Sequence, residues 1–146
     1  MEELGIINSR KLVYQRHALD VNWTKAFPME NWLLLVVIEG KNKSILAEIS
    51  SKAIVHNVCY VCCAGEQSEL LHDMVDEEIV FRQVDIEDLY LPDHFIITTW
   101  ENNIQDAFWS AFFSSNNDEE EILTVVCLDA SMAGIKVELE NFLLSN

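Results

Sequence analysis

Four continuous apolar runs are spaced along the chain, and the residues between them fall into helical stripes. The runs are Trp32 to Ile38, closed by Glu39; Val58 to Cys63; Phe95 to Trp100; and Ile122 to Leu128. Short apolar runs rich in Val, Ile and Leu, without polar alternation, predict strands buried on both faces. After each run the apolar spacing changes to that of a helix. Ile45, Ile49 and Ala53 form the first stripe, and Leu70, Leu71, Met74, Val75 and Ile79 the second. Ile104, Ala107, Phe108, Ala111 and Phe112 form the third, and Ile135, Leu139, Phe142 and Leu143 the fourth. Helices are therefore predicted from near Ser44, a plausible N-cap, from near Ser68, after Asn102 or Asn103, and from about Ala133. Alternation of this kind predicts an α/β fold with a mostly parallel sheet and helices on both faces. The expectation is a small, doubly wound, four-stranded, three-layer α/β/α sandwich. Residues 1–31 read as an irregular N-terminal segment, with Lys11 to Tyr14 as a possible edge strand.

A length of 146 residues suits a single domain spanning 1–146. A chain of this size buries roughly 68–70% of the surface it would expose when unfolded, enough for a core without staples. Half of the residues are apolar and 23% are charged, which excludes a disordered chain. Only four glycines are present, in neither of the glycine-rich phosphate-binding patterns, so no nucleotide or other cofactor is expected. The start, Met1-Glu2-Glu3, lacks a basic secretory leader, and no apolar run approaches the ~20 residues that span a bilayer. The expected location is the cytoplasm, with no membrane contact. Cys59, Cys62, Cys63 and Cys127 all lie in apolar strand-like runs, so all four are expected reduced, with Cys59, Cys62 and Cys127 buried and Cys63, at the strand's carboxyl end beside Gly65, the one expected to be reactive if any is. A zinc site needs four converging ligands. Cys59 and Cys62, three apart on a strand, point to opposite faces, so no metal is expected.

Charge is the strongest pointer to function. The chain holds 9 Lys+Arg against 25 Asp+Glu, a net charge of −16. The acidity is segregated, because residues 66–93 hold ten carboxylates and a single base, Arg82. A nucleic-acid binder needs the opposite footprint. An acidic face instead suits a basic protein partner, drawn in by electrostatic steering. The candidate partner-binding residues are Glu69, Asp73, Asp76 and Glu77 on one helical face, with Asp85, Glu87 and Asp88 beyond it, and the aromatics Trp100 and Trp109 as anchors. The leading expectation is an inhibitor that neutralises a basic, nuclease-type toxin by protein–protein binding. Two alternatives stand beside it: a small enzyme using a strand-end cluster of Cys63, His72, Asp73 and Thr99, and an inhibitor that mimics nucleic acid. Oligomeric state is left open.

Three segments, Tyr60-Val-Cys-Cys-Ala-Gly65, His72-Asp-Met-Val-Asp-Glu77 and Ile97-Thr-Thr-Trp-Glu101, resemble a family of small bacterial proteins known only as a domain of unknown function. The resemblance covers about residues 32–128. It departs from the family pattern at Leu71 and Glu101, where such sequences carry a Trp before the His-Asp pair and a His after Thr-Thr-Trp. It implies a bacterial, cytosolic, compact α/β domain and no particular activity. In size and acidity the chain is also similar to immunity proteins of bacterial toxin systems, including contact-dependent growth inhibition.

Overall fold

The computed structural model of the protein describes residues 1–40, 42–84 and 88–146. Its strands are β1 (Glu2–Ile7), β2 (Arg10–Arg16), β3 (Trp32–Ile38), β4 (Tyr60–Ala64), β5 (Ile97–Glu101) and β6 (Thr124–Ala130). Its helices are α1 (Lys43–Val55), α2 (Ser68–Val84), α3 (Ile104–Trp109), which runs on into a π-helical turn at Ser110–Ser114, and α4 (Lys136–Ser145). The strands form one six-stranded sheet in the order β1-β2-β6-β3-β4-β5. β1 is antiparallel to β2, and every other pairing is parallel.

β3 lies in the middle of the sheet and every one of its residues is buried, as its unbroken apolar run requires. Its alternate residues serve two cores. Leu33, Leu35 and Val37 pack with Phe108, Phe112, Leu139 and Phe142 from α3, the π-helical turn and α4. Trp32, Leu34, Val36 and Ile38 pack with Leu46, Ile49, Leu71 and Val75 from α1 and α2. The helices therefore cover both faces of a mixed α/β sheet.

The four expected strands and four expected helices are all present, but the sheet has six strands rather than four. Residues 1–31 are irregular only from residue 17 onward, apart from a 3-10 turn at Trp23–Ala26. They begin with a β1–β2 hairpin whose two-residue turn, Asn8-Ser9, has φ of 50° and 63°, the primed-turn geometry that matches strand twist. β2 is no edge strand, because β1 lies outside it and β6 inside. The cap of α1 is also different. Asn42, not Ser44, accepts from the backbone N–H groups of Ser44 (3.0 Å) and Ile45 (3.3 Å). Asn103 caps α3 through the N–H of Asp106. Among the described residues, no helix is long and apolar enough to cross a membrane.

Candidate partner-binding surface

α2 sets out the surface. Leu71 and Val75 are buried against the sheet, with Leu70 and Met74 packed beside them, and this fixes which side of the helix meets solvent. Residues three and four apart share a helical face, so Glu69, Asp73, Asp76 and Glu77 line up on the other side. Glu69, Asp73 and Glu77 are exposed. Asp76 is half-exposed and already engaged. It accepts a 2.6 Å hydrogen bond from the Thr98 hydroxyl on β5 and faces His72 Nε2 at 3.5 Å. His72 turns its other nitrogen to Asp73 at 3.2 Å. Arg82, the single base of this stretch, is no free cation. It pairs with Glu78 at 2.7 Å and donates to Ser51 and to the Tyr90 carbonyl.

Of the other expected contact residues, Asp88 is exposed in the left-handed conformation at φ 56°, while Asp85 and Glu87 lie outside the described residues. Trp100 on β5 and Trp109 on α3 are 39% and 53% exposed, large values for tryptophan, and Trp109 stacks on exposed Phe113 at 5.8 Å. β5 is an outer strand, and its neighbours place the two tryptophans. In-register partners of a parallel pair point to the same face. Trp100, opposite Cys63, therefore stands on the α2 side. Trp109 lines a shallow cleft of about 270 Å³ with Glu101, Asp106, Ser110 and Ser114 on the α3 side.

The cluster drawn for nucleophilic catalysis is not assembled. Cys63 is fully buried, and burial pushes its thiol well above the ordinary value. Thr99 lies opposite Cys62 and so points to the other face of the sheet, and its buried hydroxyl has no hydrogen-bond partner among the described residues. His72 is committed to two carboxylates. All four cysteines are free and buried, Cys63 included.

Two carboxylates of the acidic 117–121 loop are engaged by the fold: Glu120 accepts from the Asn31 backbone N–H at 2.5 Å and pairs with His94 at 2.8 Å, and Glu119 accepts from the Phe95 N–H. These groups tie the loop to the start of β3 and to the segment before β5. Asp129, at the carboxyl end of β6, is fully buried and saturated. It accepts from Tyr14 (2.5 Å), from the Ser131 hydroxyl (2.5 Å) and N–H (3.0 Å), and from the Ile135 N–H (2.8 Å), and it pairs with Arg16 at 2.9 Å. Burial alone would raise this carboxyl, but the hydrogen bonds outweigh it and hold Asp129 below its ordinary value. No lone pair is left for a ligand, so a position where α/β folds commonly bind ligands is used here to join β2, β6 and the start of α4. The signal in the sequence was Asp129-x-Ser131, an acid two residues before a hydroxyl at a strand end. Its partners on β2 could not be known without the register. Among the described residues no group of His, Cys, Asp and Glu side chains could hold a metal ion.

A family model described as a domain of unknown function (DUF7684) matches residues 12–146, a span that takes in all three segments quoted above. No curated protein and no solved structure matches the chain.

Proposed function

Because the chain belongs to the DUF7684 family, a domain of unknown function, its role has to be argued from its own surface, and we propose that it is an acidic binding protein for a basic protein partner. More specifically, we propose an immunity-type inhibitor that neutralises a nuclease-type toxin. A nuclease needs a positive cleft to hold phosphates, and a carboxylate face with aromatic anchors complements such a cleft in charge and in apolar contact. The observation that carries the reading is the exposed carboxylate row Glu69, Asp73 and Glu77 on α2, whose one nearby Lys or Arg within residues 66–93, Arg82, is already paired with Glu78. Trp100 and Trp109 support it as exposed anchors. The burial of Cys63 favours binding over thiol chemistry. We read the placement of α1 and α2 against one face, and α3 and α4 against the other, as double winding. We place the protein in the cytoplasm, where four reduced thiols persist.

The test is capture from the source cells with the wild type and with the Glu69→Lys/Asp73→Lys double variant, each at low and high salt, followed by a nuclease assay of what is captured. The expected result is a basic protein held by the wild type at low salt, lost from the folded double variant, and inhibited while bound. Equal capture by both proteins, or a partner that is not basic, would contradict the proposal.

A further inference from the structure

The sheet has two outer strands, and they are treated differently. β1 carries an irregularity between Glu3 and Gly5 and lies antiparallel to its neighbour, and Lys136 of α4 pairs with its Glu2 at 2.6 Å. A break of register of this kind turns an edge away from further pairing. β5 has none. Its register against β4 runs unbroken from Ile97 to Glu101. Ile97 N–H donates to Cys59 and Glu101 carbonyl accepts from Gly65, so these two residues bond inward. The alternation of a parallel ladder turns Thr99 inward as well, and leaves the N–H and C=O groups of Thr98 and Trp100 pointing outward. Among the described residues no other strand pairs with this edge.

We infer that β5 is a docking edge which accepts an extended, basic segment of a partner protein as a seventh strand. The backbone groups of Thr98 and Trp100 supply the hydrogen bonds of strand addition. Exposed Trp100 flanks the edge on the α2 side, and Trp109 does so on the α3 side, beside Glu101. Charge chooses the occupant. Asp76, bonded to Thr98, stands on one flank with Asp73 a turn before it on α2, Glu101 and Asp106 stand on the other, and the only Lys or Arg from residue 94 onward, Lys136, lies at the opposite edge of the sheet. A second copy docked by the same edge would bring like carboxylates together, whereas alternate Lys or Arg side chains of an incoming strand would meet the carboxylates of one flank. The inference rests on the reading of the protein as a receptor for basic proteins and adds the place and geometry of binding.

The experiment uses the full chain and a synthetic peptide of alternating Lys and Val. A second peptide of the same sequence has the amides of its pairing edge N-methylated, so its charge stays and its hydrogen bonding goes. Binding is followed by amide hydrogen exchange and by titration. The expected result is slowed exchange at the Thr98 and Trp100 amides with the first peptide, and affinity weaker by about tenfold or more for the methylated twin, the loss of two or so hydrogen bonds. Trp100→Lys, a substitution at an exposed site that guards an edge with charge, should weaken the first peptide to the level of the second. Equal binding of both peptides, or protection confined to α2, would overturn the edge inference and leave the acidic-receptor reading standing. Failure of both peptides to bind at low salt would overturn that reading too. A dimer of the protein alone that Trp100→Lys dissociates would show that the edge serves a second copy instead.

Discussion

The thiols show how one residue's surroundings decide its chemistry. Cys63 closes an apolar run beside Gly65, and from the sequence alone it reads as the one cysteine near a helix start with a chance of reactivity. The strand continues one residue further, to Ala64, and Leu71 and Val75 of α2 lie in the same core cluster, so the sulfur is sealed. Burial pushes the Cys59 and Cys62 thiols up to about 12, and Cys63 and Cys127 well above the ordinary value. The thiolate is the reactive form. A disulfide-exchange reagent at pH ~8 should therefore find no fast-reacting thiol in the native protein and four after unfolding. A native Cys63 that reacts as fast as a free thiol would show the cover over it to be wrong.

At the scale of elements, α2 carries two kinds of carboxylate that its sequence does not distinguish. Asp73 and Glu77 form a like-charged pair four residues apart, which costs an isolated helix a few tenths of a kcal/mol. Asp76 instead ties the helix to β5 through Thr98. Glu77→Gln should leave stability unchanged or raise it by a few tenths of a kcal/mol, while Asp76→Ala should lower it by about 1 kcal/mol. Denaturant titration of the two variants checks this, and equal effects would contradict it. The helix period puts Glu69, Asp73 and Glu77 on the exposed side because Leu71 and Val75 orient the helix by burial. Which carboxylate reaches a neighbouring strand depends on the β4–β5 register, which no local pattern encodes. The same limit explains the N-terminal hairpin. β1 is short and starts with two acids among its six residues, and its turn is Asn-Ser rather than the Asn-Gly that most clearly signals a hairpin. The long buried strands, by contrast, need no partner to be recognised, because an unbroken apolar run of seven residues such as β3 fits only the middle of a sheet covered on both faces.

Across the whole molecule, Asp129 is the joint that sequence position hides. It connects β2, β6 and the start of α4 from a fully buried site, and its carboxyl is held below the ordinary value. A depressed carboxyl contributes stability that is fully present above the unfolded value, near pH 4, and is lost as pH falls toward the folded one. Asp129→Asn should therefore cost roughly 2–4 kcal/mol at neutral pH, with the gap to the wild type narrowing below pH ~4. A gap that stays constant to pH ~2 would contradict the assignment. The comparison has to be made between the two proteins, because acid also relieves the self-repulsion of a chain with a net charge of −16. That repulsion is a standing cost of the fold. The proposed receptor surface would give the segregation of ten carboxylates within residues 66–93 a use that general solubility does not require.

The central claim is that the exposed carboxylates of α2 draw in a basic partner, and the association rate tests it most directly. Rates should be measured for the wild type and for Glu69→Lys/Asp73→Lys against the captured partner, at low salt and at ~1 M salt, where the screening length falls to about 3 Å. The account predicts that charge reversal slows association by tenfold or more at low salt and that the two rates converge at high salt. Equal association rates at low salt, with the double variant folded, would contradict it.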